Sequence, residues 1–241
     1  MFLRDIIIRL FPVFFRAYIE VFGGAGWVLF RKRPSAFEVY NDFNPNMANL
    51  FRCVREDEER IIQELDWSLN SRDDFQILQK LHAPHTDICD FKAAANFYKL
   101  IRYSYSSKCR GFGCQPTKLE KKYPLLRAAH RRLKEVVVEN QDFEVLIKHY
   151  DRPDAFFYLD PPYYGTENYY LDVNFTKENH YRLREILGEV KGKWLLSYND
   201  DPFIRELYSG YFIKEVERPS NMSKDGKSYK ELLIANYDMD D

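Results

Sequence analysis

The sequence predicts an α/β protein, a parallel, doubly wound sheet interrupted by a basic, mainly helical insertion. Three observations carry this. Residues 16–56 alternate strand and helix patterns twice, as β-α-β-α units do. Strand-like stretches return after residue 136 and dominate the rest of the chain. Charge is unevenly spread: the net is -1 over 241 residues, yet residues 75–134 hold thirteen Lys and Arg against three acids. That local excess is suited to a polyanion partner, the plain alternative being a solvated helical surface.

The elements follow in order. The greasy start "MFLRDIIIRLFPVFF" is interrupted by Arg4, Asp5 and Arg9. Its spacing predicts a short amphipathic helix up to Leu10, broken near Pro12, and neither a signal peptide nor a membrane span. "RAYIEVFGGAG" reads as a strand entering a glycine turn, and "WVLFRKR" as a helix after it. "SAFEVYNDFN" is a second strand that ends in the polar Asn41-Asp42. "PNMANLFRCVRE" is the next helix, with Pro45 in its first turn.

From about Arg52 to Val136 the chain reads as helical and charged, with "EDEERIIQEL" and "PLLRAAHRRLKEV" at helical period. "SYSSKCRGFGCQP" lies between them as a loop. "VVVENQDFEVLI" restores a strand pattern, followed by the strands "AFFYLDPP", "KWLLSYND", "YFIKEVER" and "KELLIANYD". "TKENHYRLREILGEV" is a helix among them, with Thr176 as N-cap. The last two strands form a hairpin around "SNMSKDGKS". The expected domains are a discontinuous core of residues 1–51 and 137–241 and an insertion of residues 52–136.

Composition narrows the class. Hydrophobic residues at 45% and charged residues at 30% are those of a soluble globular chain. Aromatics reach 17%, which fits either an aromatic-rich core or surfaces that stack flat ligands. The four cysteines, 53, 89, 109 and 114, show no CxxC spacing and read as reduced thiols. His82, His85 and Cys89 lie close in sequence, but Pro84 and the loose spacing argue against zinc, and no metal is expected.

Two motifs carry chemistry. In "FGGAG" the glycines after a strand let a ligand approach the backbone. Asp42 lies 19 residues past Gly23, where an acid accepts hydrogen bonds from ribose hydroxyls. The full GxGxxG is absent, so the pattern favours a nucleoside-containing cofactor other than a nicotinamide dinucleotide. Glu38, mid-strand, is expected to point away from the cleft. In "LDPPYYG" the strand ends at Leu159 and places Asp160 at the carboxyl edge of the sheet. The Asp160 carboxylate and the Pro161 carbonyl are two acceptors suited to one amino group. Pro161 and Pro162 hold those acceptors rigid, and Tyr163 offers a face for a base.

With "FFYL" before "DPPY", "IEVFGGAG" upstream and "YNDFN" between, the chain resembles the Dam-type (DPPY, class alpha) DNA adenine-N6 methyltransferases. "ENQDFEVLI" resembles the family's DF strand, and "KGKWLLSYND" and "KELLIANY" its closing strands. The likeness covers residues 13–50 and 137–241. It implies a Rossmann-like methyltransferase sheet with an inserted target-recognition domain, and S-adenosylmethionine as cofactor with S-adenosylhomocysteine as product. Phe22, Gly23 and Gly24 are then expected to pack against the cofactor, Asp42 to bind its ribose, and Asp142 and Phe143 to lie near its adenine. Asp160 would serve both cofactor and target, and Asp160, Pro161, Pro162 and Tyr163 would hold an adenine flipped from duplex DNA.

In the insertion, "NFYKLIRYSYSSKCRGFG" interleaves basic and aromatic residues, and Lys99, Arg102, Tyr105, Lys108 and Arg110 are the expected DNA contacts. The resemblance further implies double-stranded DNA as partner, a monomer or weak dimer, and a bacterial or phage-encoded cytoplasmic enzyme of the restriction-modification type. The family's GGK-type segment ahead of the first helix is not among these residues. A DNA-binding relative without turnover therefore stays an alternative, as does transfer to cytosine or to a base in RNA.

Overall fold

The computed structural model describes residues 3–66, 71–80, 89–105, 109, 111–114, 118–165, 175–219 and 228–240. Its centre is a seven-stranded sheet of mixed direction. In chain order the strands are β1 (Ala17–Glu20), β2 (Phe37–Asn41), β3 (Val136–Glu139), β4 (Ala155–Leu159), β5 (Lys193–Asn199), β6 (Phe212–Pro219) and β7 (Ser228–Ala235). They lie in the order β3-β2-β1-β4-β5-β7-β6. The pairs β1–β2, β1–β4 and β4–β5 are parallel, whereas β7 runs antiparallel to both β5 and β6. The expected closing hairpin is therefore present, and the sheet is the mostly parallel one that the sequence predicts. Strands β1 and β4 are buried along their whole length, as strands covered on both faces must be.

The described helices are α1 (Leu3–Arg9), α2 (Pro45–Glu56), α3 (Glu58–Asp66), α4 (Arg72–Lys80), α5 (Phe91–Tyr103), α6 (Tyr123–Leu133), α7 (Phe143–Tyr150), α8 (Lys177–Glu189) and α9 (Pro202–Leu207). None of them is long and apolar enough to cross a membrane.

Two expectations are corrected, and a third holds in position only. "WVLFRKR" is a run of turns and not a helix. Phe30 N–H and Lys32 N–H do reach back four residues, to Gly26 and Val28. The run stops where the Lys32 ammonium turns inward onto Glu38, the Arg33 carbonyl and the Ser35 hydroxyl. The second concerns "VVVENQDFEVLI", which is strand only to Glu139. Asp142 then caps a helix by accepting from Glu144 N–H at 3.0 Å. Phe143, Leu146, Ile147 and Tyr150 follow as its buried stripe. The spacing of those four is helical, and the β-branched run before them masks it. Finally, Thr176 occupies the N-cap position of α8, but its hydroxyl donates to the Glu178 carboxylate instead of capping a backbone amide.

The chain divides into two compact units, residues 1–41, 141–168 and 174–241 in one and residues 42–140 and 169–173 in the other. The expected boundaries, 51/52 and 136/137, run through α2 and β3, and this division holds both elements in the second unit. In the first unit many aromatics are core. Phe11, Phe15, Tyr18 and Tyr237 surround Phe156, with Phe11 and Phe156 centroids 4.6 Å apart. The Tyr237 hydroxyl donates to the Leu10 carbonyl and ties the segment after α1 to the chain's end. The fully buried Trp194 donates its indole N–H to the Leu187 carbonyl at 3.0 Å.

The second unit has its own core around Ile61, Phe75, Ala94, Leu100 and Leu133. Asp90 caps α5 by accepting from Ala93 N–H at 2.9 Å. At the C-terminal end of α5, Ser104 and Phe112 form an antiparallel bridge.

Candidate active site

The carboxyl edge of the sheet collects several polar side chains of the first unit. Residues two apart on a strand share a face, and paired residues on adjacent strands do too. Tyr18 and Glu20 on β1 share a face with Tyr158 on β4, by the Glu20–Tyr158 pairing. Asp160 follows two residues after Tyr158. The Leu159–Leu196 pairing brings the ladder to Ser197 on β5 beside it. Ser197 and Asn199 face Leu233 and Glu231 on β7.

Hydrogen bonds link these residues. The Ser197 hydroxyl donates to Asp160 Oδ1 at 2.8 Å, and the Tyr158 hydroxyl lies 3.2 Å from Ser197 Oγ. The Tyr163 hydroxyl reaches Glu231 Oε2 at 3.5 Å. Asn199 Nδ2 donates to the Tyr164 carbonyl at 3.2 Å. Pro161 and Pro162 are buried, Asp160 is exposed, and Tyr163 is half-buried. So the motif leaves Asp160 accessible on a base of buried prolines, with one carboxylate oxygen held by the buried Ser197 hydroxyl.

Glu20, 2% exposed, ends β1 beside this motif. Burial pushes its carboxyl up to about 8, against hydrogen bonds from Tyr18 and the Leu29 backbone that favour the charged form, while the nearby Asp160 pushes it further up. At neutral pH Glu20 is mostly protonated, so β1 adds little second negative charge next to Asp160. The Tyr18 hydroxyl donates to Glu20 Oε2 at 2.6 Å, and burial holds that phenol well above its usual range.

The glycine turn follows Glu20. A Cβ at Gly23 would collide with the buried Tyr40 ring, whose hydroxyl donates to the Gly24 carbonyl at 2.6 Å. Gly24 has φ +49, and the space where its Cβ would stand is open. Phe22, Phe143 and Phe175 pack edge and face with centroids 5.7 to 6.0 Å apart. Arg182 lies over the Phe143 ring at 4.9 Å and pairs with Asp142 at 3.0 Å and Glu144 at 2.9 Å. Backbone free of side chains beside a wall of aromatic rings fits an adenosyl group. Asp142 is thus a helix cap and an ion-pair partner, and Phe143 supplies the ring.

The other expected residues are placed as follows. Asp42, in the second unit, comes directly after β2, and its Oδ1 accepts from Asn44 N–H at 2.8 Å. Lys99 donates to the Glu64 carbonyl at 3.0 Å, and burial draws its ammonium below the usual range. Arg102 has a buried Nε without a partner among the described residues. Tyr105 is 63% exposed at the base of the Ser104–Phe112 bridge. Lys108 and Arg110 lie outside the described residues, as do His82 and His85. Glu38 is not idle in the sheet: it pairs with Lys32, both side chains being nearly inaccessible.

Sequence reasoning passed over Glu20, Phe175, Arg182, Ser197 and Glu231. Ser197 and Glu231 did carry a signal, each being a polar residue directly beside a buried leucine pair in "KWLLSYN" and "SYKELLIA".

Glycines at the end of one parallel strand and an Asp-Pro-Pro-Tyr turn at the end of its neighbour define an α/β enzyme that acts on a flat amino-bearing ring. The chain belongs to the D12 class N6 adenine-specific DNA methyltransferase family, whose model matches residues 3–222. At least three relatives match along nearly the whole chain. Type II methyltransferase M.MjaIII of Methanocaldococcus jannaschii is 27% identical over 263 aligned positions, 92% of this chain and 89% of that protein. The DNA adenine methylase of Haemophilus influenzae is 27% identical over 262 positions, 96% of this chain and 88% of that protein. Type II methyltransferase M.CviBI of Paramecium bursaria Chlorella virus NC1A is 32% identical over 111 positions, 44% of this chain and 43% of that protein.

Proposed function

We propose that this chain methylates the N6 amino group of an adenine flipped out of double-stranded DNA, with Asp160, Pro161, Pro162 and Tyr163 holding the base. The observation that carries the reading is the exposed Asp160 at the carboxyl edge of β4, followed directly by the buried Pro161 and Pro162 and the half-buried Tyr163.

The adenine amino lone pair is conjugated into the ring and is a poor nucleophile. Hydrogen bonds from its N–H groups to Asp160 and to the Pro161 carbonyl favour a more tetrahedral nitrogen, whose lone pair is less delocalised into the ring and can face the methyl donor. The buried prolines keep both acceptors in place, so little reorganisation is needed at the moment of reaction. The Tyr163 ring, its hydroxyl reaching Glu231, stacks on the extruded base. When bound, S-adenosylmethionine supplies an electrophilic methyl group on a sulfonium, and S-adenosylhomocysteine is the product. Phe22, Gly23 and Gly24 would pack against the cofactor, Asp42 would bind its ribose, and Asp142 and Phe143 would lie near its adenine. The chain's own work is then positioning. Lys99, Arg102, Tyr105, Lys108 and Arg110 of the second unit would meet the DNA, whose phosphates suit that basic stretch. The enzyme would work in the cytoplasm, as a monomer or weak dimer. The names of two relatives, Type II methyltransferases, support a restriction-modification setting.

The test is transfer of labelled methyl from S-adenosylmethionine to unmethylated genomic DNA, with nucleoside analysis of the product. Label in N6-methyladenine is expected. Asp160→Ala should abolish it and leave DNA binding intact. Label in a cytosine product, or an Asp160→Ala variant that still methylates, would overturn the assignment.

A further inference from the structure

We propose that Ser197 is a positioning residue for methyl transfer, oriented by Tyr158, and that it sets the direction of the Asp160 carboxylate. The inference rests on the reading of Asp160 given above and adds residues to which that reading assigns no role.

The argument starts from proton counting. Ser197 Oγ lies 2.8 Å from Asp160 Oδ1 and 3.3 Å from the Leu159 carbonyl, and it carries one proton. A carboxylate only accepts, and a charged acceptor at the shorter distance takes that proton. Tyr158 Oη is 3.2 Å from Ser197 Oγ. With the serine proton committed to Asp160, the tyrosine must be the donor in that pair. Burial and the neighbouring Asp160 hold the Tyr158 phenol well above its usual range, so it keeps the proton it donates. The result is a directed chain, Tyr158 to Ser197 to Asp160. Each donation strengthens the next, since a hydroxyl that accepts is a better donor.

Placement supports a role beyond filling space. Ser197 is fully buried in a strand otherwise apolar through Trp194, Leu195 and Leu196. A buried hydroxyl there costs desolvation unless its hydrogen bonds are made, and the bonds it makes lead to the motif. The same face of β5 and β7 holds the rest of the loop: Asn199 grips the Tyr164 carbonyl and Glu231 receives the Tyr163 hydroxyl. The loop that would carry the target base is thus braced by side chains from two neighbouring strands, with Ser197 acting on the acid itself.

The test compares wild type with Ser197→Ala, Ser197→Thr, Tyr158→Phe and Asp160→Ala under steady-state and single-turnover conditions, with thermal melting of each. Ser197→Ala should lower kcat by roughly tenfold or more, the scale of one hydrogen bond to a charged group. KM for DNA and for S-adenosylmethionine should hold, because the carboxylate is misdirected and not removed. Ser197→Thr, which keeps the hydroxyl, should recover most of the rate. Tyr158→Phe, which keeps the ring, should show a smaller loss of kcat. It also carries the test if Ser197→Ala does not fold. Wild-type kcat in Ser197→Ala, or in Tyr158→Phe where the alanine variant is unfolded, would overturn the proposal. So would a joint fall in kcat, cofactor affinity and melting temperature that threonine does not reverse, since that marks a purely structural serine. Methylation by Asp160→Ala would instead reject the underlying site assignment. An inactive Asp160→Ala beside a fully active Ser197→Ala would reject the positioning role alone.

Discussion

Replacing Glu20 by Gln should change how the stability of this protein depends on pH. The Glu20 carboxyl is 2% exposed and is raised from 4.5 to about 8, with burial as the largest cause. A rise of about 3.5 units corresponds to roughly 5 kcal/mol of preference for the protonated form in the folded state. The unfolded chain releases this proton near 4.5, whereas the folded chain keeps it until about 8. The stability linked to this group is therefore fully present below the unfolded value. It is lost as pH rises, by about 1.4 kcal/mol per unit, until the folded value is passed. Gln cannot titrate, so the variant lacks this slope.

The quantity to follow is the difference in unfolding free energy between wild type and Glu20→Gln, measured at about pH 5.5 and about pH 7.5. Every other titrating group contributes to both proteins and cancels. The difference should move against the wild type by roughly 2.7 kcal/mol across that window. In thermal melts of a chain this size that is about 5 to 11 °C. Any fixed gain or loss from exchanging an oxygen for an amide drops out, because only the change with pH is read. A difference that stays constant over those two units would mean that Glu20 is ionised in the folded protein. The claim that β1 places a mostly neutral group beside Asp160 would then fail.

Two further substitutions test the packing that carries the site. Lys32→Met should destabilise by about 3–5 kcal/mol, because it leaves the Glu38 carboxylate buried without its cation, and Lys32→Met with Glu38→Gln should recover most of the loss. Urea unfolding with an unchanged m-value checks this, and a single substitution costing under about 1 kcal/mol would contradict the buried pair. Gly23→Ala should cost about 1–3 kcal/mol, because the new methyl must displace the buried Tyr40 ring that holds the Gly24 carbonyl. Binding of S-adenosylhomocysteine to this variant, followed calorimetrically, should weaken in parallel. Unchanged stability and unchanged binding would show that the turn tolerates a side chain.

The fold was legible where local pattern and tertiary burial agree. Phe37–Asn41 and Pro45–Glu56 stand where alternation and Pro45 put them, and the helix has Asn44 as cap and proline in its first turn. "WVLFRKR" failed because its helical pattern competes with a buried ion pair. Lys32 reaches Glu38 from a sequence separation of six, and no periodicity argument sees that contact. "QDFEVLI" failed for the opposite reason. The helix was written in its spacing, but the VVV run ahead of it set the period that was read, and Asp142 was taken for a ligand contact when it is also the cap.

The candidate site was legible in its motif residues and silent in what holds them. Asp160, Pro161 and Tyr163 are adjacent in sequence, so one short stretch displays the acceptors and the stacking face together. Their supports come from elsewhere in the chain: Ser197 lies 37 residues on and Glu231 lies 68 residues past Tyr163. What brings them together is the ladder itself. Parallel pairing of β4 with β5 sets Leu196 beside Leu159, and antiparallel pairing of β5 with β7 sets Glu231 beside Asn199. Shifting either register by one residue would turn Ser197 or Glu231 to the opposite face. Leu195, Leu196, Leu232 and Leu233 are all fully buried, so such a shift would have to repack both faces of these strands. The hydrophobic pattern of these strands therefore does two jobs. It drives the sheet together, and it fixes which polar side chains arrive beneath the Asp-Pro-Pro-Tyr turn.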